Sequence, residues 1–202
     1  MSSVTTAQMA SRQGRLNSNA RLVALLGVLA AIGSILRVTT VGIAGVETVF
    51  IVVILGARIL GARLGFVLGL ATIAVSSLIL GSFGPWTPFQ LAGVGLVGLG
   101  AGLLPRWSGW REIAVLATYG VVAAYLFGAF MNLWFWPFLV GADTSISYVP
   151  GAPFVANAAR FGLFTLITST LTWDTVRAVT TAVGIALVGR FVLGALRRST
   201  NR

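Results

Sequence analysis

Apolar positions along this chain run in continuous stretches rather than in alternation. Nearly uncharged runs occupy 20–37, 43–57, 64–81, 89–104, 112–135 and 156–196. A half-buried strand would alternate apolar and polar residues, so runs of this length read as helices. Crossing the hydrocarbon of a bilayer takes about 20 helical residues. The last run would reach roughly 60 Å as one helix, and the polar patch Thr170-Leu171-Thr172-Trp173-Asp174 interrupts it. The pattern predicts an all-α integral membrane protein with six transmembrane helices. The first five take the first five runs, the sixth takes 174–196, and a shallow or surface helix lies near 157–171. Residues 1–19 are polar and read as a disordered cytoplasmic tail. Residues 20–198 form a single transmembrane domain, and 199–202 form a short basic tail. No convincing cleavage site follows the first apolar run, so it is expected to be retained as a span.

Composition agrees with this reading. Of 202 residues, 57% are hydrophobic and 9% charged, against roughly 25% charged in a soluble domain. The 25 glycines suit close helix packing in lipid. Cysteine and histidine are absent. That excludes disulfides, thiolate metal sites, cysteine nucleophiles and histidine acid–base chemistry, and neither a metal nor a cofactor is expected. The net charge of +10 is assigned to lipid headgroups and topology rather than to nucleic acid. Arg12, Arg15 and Arg21 precede the first span. Arg58 and Arg63 fall after the second, Arg106 and Arg111 after the fourth, and Arg190, Arg197, Arg198 and Arg202 at the end. Six crossings gather all of these on one side, which is then cytoplasmic with both termini. Only Arg37, Arg160 and Arg177 fall outside that set.

The opposite, outer side collects the candidate chemistry. The turn Gly81-Ser82-Phe83-Gly84-Pro85-Trp86-Thr87-Pro88-Phe89-Gln90 carries flat apolar surface at Trp86 and hydrogen-bonding groups at Thr87 and Gln90. It reads equally as part of a binding site or as an interfacial aromatic turn. The loop after the fifth span is longer than a helical turn requires and includes Asp143, Ser145 and Ser147. Asn132 and Trp134, near its start, are taken as pocket residues, whereas Trp136 and Tyr148 are taken as an aromatic belt. Glu47 is the acid expected within a span, and such residues are functional candidates. Arg37 could pair with it across the outer turn. Asp174 and Arg177, three apart, are expected to pair along the last helix. Small residues spaced by four, Ala20 and Ala24, then Gly27 and Ala31, permit close contact with another helix, within the chain or beyond it. No GK[ST] loop, HExxH, GxSxG or paired-carboxylate motif occurs, so no catalytic residues are assigned and an enzyme is not expected. Any active transport must draw on a partner or an ion gradient.

The order of features over about residues 20–198 resembles the substrate-binding S component of energy-coupling factor (ECF) transporters. The resemblance rests on ALLGVLAAIGSILR in the first span, on Gly61-Ala62-Arg63-Leu64-Gly65-Phe66-Val67-Leu68-Gly69, on the GPWTPFQ turn at 84–90, and on Thr172-Trp173-Asp174 through Gly189-Arg190. The turn is the most specific match and is similar to one in actinobacterial-type S components. The resemblance implies a bacterial cytoplasmic-membrane protein that binds a vitamin or related micronutrient near the outer face. A transmembrane T subunit and two ATPase subunits would supply the energy. It implies contact with the T subunit through Gly27 and Ala31, with Ala24 as an extension; glycine here replaces the first alanine of the usual Ala-xxx-Ala form. Trp86, Thr87, Gln90, Asn132 and Trp134 would bind the substrate, for which a cobalamin-like corrinoid is the leading expectation. An ion-coupled secondary transporter using Glu47 or Asp174, and a non-transport membrane scaffold, are the alternatives from other classes.

Overall fold

The computed structural model describes residues 2–43, 45–138 and 144–200, with side chains from Asn19 onward. Asp143 and Arg202 lie outside the described residues. Helix α1 spans Ser2–Thr40, α2 Val49–Leu60, α3 Ala62–Leu80, α4 Thr87–Leu103 and α5 Gly109–Phe135. A single 3-10 turn, Trp136–Phe138, ends α5. After the following loop come α6, Phe154–Thr165, a π-helical segment, Leu166–Asp174, and α7, Thr175–Thr200. No strand occurs among the described residues.

Four helical stretches are long and apolar enough to cross a membrane: Asn19–Thr40, Ala62–Leu80, Gly109–Phe138 and Phe154–Thr200. Their most apolar windows are only 22–39% buried within the protein. Val23, Val28, Leu126, Leu187 and Phe191 all point outward, an arrangement that suits lipid and not water.

The expectation of six full-length spans is therefore corrected. At 12 and 17 residues, α2 and α4 are shorter than a span. The reason for α2 lies in its packing. It touches α1, α3, α4, α5 and α7, and Val49, Phe50, Val53, Ile54 and Ala57 are wholly buried. A helix enclosed by protein need not match the thickness of the bilayer, because its ends are satisfied by neighbouring helices.

Two further differences concern the chain ends. Helix α1 reaches back to Ser2, so the backbone of the polar segment expected as a disordered tail is helical. The last apolar run does not separate into a surface helix and a span. It forms one 47-residue helical column, and the expected break at Thr170–Asp174 is a widening into π geometry.

Helices α3 and α4 press together through glycine. A Cβ on Gly98 would overlap the carbonyl oxygen of Gly65, and one on Gly69 would fall 2.5 Å from that of Val94. The glycine-rich fourth helix thus makes its close approach against α3.

Candidate functional site

The connectivity brings the end of α1, the start of α2, the end of α3, the starts of α4 and α7, and the end of α5 to one end of the bundle. Arg177, on the first turn of α7, is the centre of a polar cluster there. Its Nε donates to Glu47 in the connection before α2, and its Nη1 donates to Asp174 Oδ1 at 2.6 Å. Its guanidinium lies 5.0 Å from the ring centroid of Phe127 and 5.9 Å from that of Phe50. These aromatic faces and two carboxylates compensate a cation that is largely shielded from water, its side chain 12% exposed.

The π-helical segment makes the next link. Ser169 Oγ donates to Asp174 Oδ2 at 2.8 Å, across five residues. In an α-helix, residues five apart point about 140° away from each other, whereas π geometry closes on i→i+5. The widened turn stacks the serine on the aspartate. The threonine-rich sequence contributes as well, since Thr175 Oγ1 donates to the Thr170 carbonyl at 2.6 Å. On α5, Asn132 Nδ2 donates to Ser169 Oγ at 2.8 Å. Glycine at 128 admits the aspartate, because a Cβ there would overlap the Asp174 carboxylate. An unbroken polar chain results, from Asn132 through Ser169, Asp174 and Arg177 to Glu47.

Beside this chain lies a cavity of about 320 Å³. Glu47, Gln90, Asn132, Ser169, Asp174 and Arg177 supply its polar wall, and Phe127, Met131, Phe135 and Trp173 its apolar wall. Gln90 is oriented by Arg37, whose Nη2 donates to Gln90 Oε1 at 3.2 Å. Arg37 also donates to Ser76 Oγ at 2.8 Å and Ser77 Oγ at 3.3 Å, and so ties α1 to α3 and α4. The expected Arg37–Glu47 pair is therefore corrected: Arg37 is held by hydroxyls and an amide, and Glu47 pairs with Arg177. The expected Asp174–Arg177 pair is present.

Of the five residues expected to bind a substrate, Gln90 and Asn132 line the cavity, and the other three do not. Thr87 is buried, and its Oγ1 accepts from the Gly84 amide at 2.9 Å, closing the turn before α4. Trp86 is exposed and covers Gly84. Trp134 stacks on Phe89 at 5.2 Å, joining α5 to α4. Trp136 is not a belt residue. It is buried, donates from Nε1 to the Ile146 carbonyl at 2.9 Å, and packs edge-on to Tyr148 and Phe161. Asn157 fastens the same loop by exchanging two hydrogen bonds with the backbone of Val149. On α1, Ala24, Gly27 and Ala31 all face outward, and nothing lies within 4 Å of a Cβ built on Gly27.

Sequence reasoning did not find Ser169, Gly128 or Phe127. The serine- and threonine-rich tract before Asp174 was visible, but the i→i+5 register was not. It also passed over Glu112. At the opposite end of the bundle Glu112 is 3% exposed and binds Arg58 Nε at 2.8 Å and Arg197 Nη2 at 2.7 Å. Arg58 Nη1 further donates to the Leu104 carbonyl at 2.8 Å. All three acids among the described residues are thus paired with arginine.

No family model matches this chain, and neither a curated protein nor a solved structure does.

Proposed function

We propose that this chain is the substrate-capture S component of an ECF-type importer in a bacterial cytoplasmic membrane, and that its substrate is a small vitamin-like molecule held in the Gln90–Asn132–Asp174–Arg177 cavity. The observation that carries this reading is the position of the cavity at the end of the bundle opposite Arg58, Arg63, Arg106, Arg111 and Arg197. Arginine-rich ends stay cytoplasmic, which sets the cavity at the outer face. Counting α4 and the enclosed α2 as short crossings gives six crossings and two cytoplasmic termini.

The lining suits capture rather than catalysis. Glu47, Asp174 and Arg177 line the wall, and Arg37, bound to Gln90 behind it, brings the cluster of four charges to zero. Amide, hydroxyl and aromatic groups remain to select a neutral or zwitterionic ring compound. Ligand pockets run about 300–1,000 Å³, and about 320 Å³ stands at the small end. This favours a one- or two-ring molecule over a corrinoid macrocycle. The outward small face at Ala24, Gly27 and Ala31 gives a T subunit a place to pack closely, and two ATPase subunits would provide the hydrolysis for which this chain has no motif.

The test is purification in mild detergent from the native host, with mass spectrometry of everything that co-purifies. A stoichiometric vitamin, a T subunit and ATPases are expected. Repeated recovery with none of them, and no binding from a vitamin panel, rejects the reading. A proton-coupled secondary transporter is the second reading, favoured by the near-complete burial of Asp174. Gradient-driven uptake by the chain alone in liposomes, abolished by Asp174→Asn, would establish that instead.

A further inference from the structure

The other end of the bundle holds a second cavity, of about 340 Å³, which neither the capture reading nor the alternatives use. Arg58, Arg106, Arg197 and Glu112 line it, together with Trp107 and Thr200. Its charge does not balance. Glu112 receives both Arg58 and Arg197, and Arg106 forms no ion pair among the described residues. One carboxylate therefore serves three guanidiniums. Arg58 sits at the floor with its side chain 5% exposed, and its orientation is set by Glu112 and by the Leu104 carbonyl. Arg197 is half exposed, and Arg106 stands at the open rim. A floor fixed by hydrogen bonds and a rim of free guanidinium is an arrangement that receives an oxyanion, since planar guanidinium forks match phosphate geometry.

We infer that this cavity binds a phosphate-bearing anion, with the headgroup phosphate of an anionic lipid as its source in the membrane. The location favours that source. The cavity opens where α2, α4 and α7 end and α5 begins, at the depth of the headgroups for a chain whose helices cross the bilayer. Trp107 on its lining is exposed, and so is Trp110 at the start of α5, as aromatic side chains are at membrane interfaces. Basic pockets between helices at that level hold lipid headgroups. The inference is independent of the transport reading, because it uses no group of the first cavity.

The experiment uses the full-length protein, delipidated in detergent and examined by native mass spectrometry. Dioleoylphosphatidylglycerol, dioleoylphosphatidylcholine and inorganic phosphate are the probes. Arg106→Gln removes the rim cation without touching the Glu112 pairs. Arg21→Gln, which removes one exposed charge outside the cavity, is the control. Phosphatidylglycerol should bind in preference to phosphatidylcholine, and Arg106→Gln should weaken it about fivefold while Arg21→Gln leaves it unchanged. If millimolar inorganic phosphate displaces the lipid from the wild-type protein, or binds where the lipid does not, and Arg106→Gln weakens that binding, the phosphate site stands and its source is free phosphate. Equal retention of the two lipids with no phosphate binding overturns the inference. So does an equal effect of the two substitutions.

Discussion

The two ends of the bundle solve the same electrostatic problem in different ways. At one end two carboxylates and one guanidinium line a cavity with an asparagine, a glutamine and a serine, and a second guanidinium, Arg37 behind Gln90, cancels the charge of the cluster. At the other a single carboxylate faces three guanidiniums, and the sum is positive. Each cluster shields one arginine, Arg177 at one end and Arg58 at the other, and both use contacts beyond the ion pair to do so. They differ in what is left over. The neutral end has polar groups to spare and little field, which suits an uncharged or zwitterionic solute. The positive end has field to spare, which suits an anion. The difference also shows why buried ion pairs are poor guides to function by themselves: Arg58–Glu112 is as well made as Arg177–Asp174, yet the groups around each pair decide what it can bind.

Substitutions can break or sharpen that contrast. The largest effect is expected from Glu112→Ala. It leaves Arg58 buried without a counter-ion, and a guanidinium cannot shed its proton to escape. Loss of one partner of a buried pair costs about 3–5 kcal/mol, so the melting temperature in detergent should fall sharply, while solute binding by the surviving folded fraction stays intact. Gly128→Ala strikes the other end. The new methyl displaces the Asp174 carboxylate, at a cost of about 1–3 kcal/mol for overpacking, and solute affinity measured by calorimetry should collapse with it. Unchanged affinity would separate Asp174 from the binding site. Asn132→Ala removes one hydrogen bond to Ser169, worth about 1 kcal/mol, and should weaken solute binding about fivefold with a small change in melting temperature. Gly27→Leu should change stability by less than about 0.5 kcal/mol, because the position faces open space. Its effect is expected in co-purification with a T subunit, and normal recovery of that complex would remove this face from the partner contact.

Much of the fold was legible because each helical run must satisfy its own backbone and present apolar side chains to lipid. The helical class and the positions of α3 and α5 follow from runs of apolar residues. The six equal spans did not follow. Apolar content reports that a helix avoids water but not whether lipid or protein surrounds it, so the enclosed α2 read as a span like any other. At the site, the hydrogen-bonding amides of Gln90 and Asn132 line the cavity. Trp86 and Trp134 offer flat stacking surface, yet one covers a turn and the other staples two helices. Residue type states what a side chain can do and leaves its direction open.

By itself, then, the sequence determined that this is a helical chain for an apolar surrounding, with its arginines gathered toward one end and its few acids obliged to find cations. Those conclusions rest on local terms: apolar run length, backbone hydrogen bonding within each helix, and charge that cannot be buried alone. Which acid met which arginine was decided only by the tertiary structure. Glu47 and Arg177 are 130 residues apart, Glu112 and Arg197 are 85 apart, and the Ser169–Asp174 contact needed a π turn. A counter-ion is selected by the packing of whole helices, through glycines that let backbones approach and through one enclosed helix that sets the spacing of the rest.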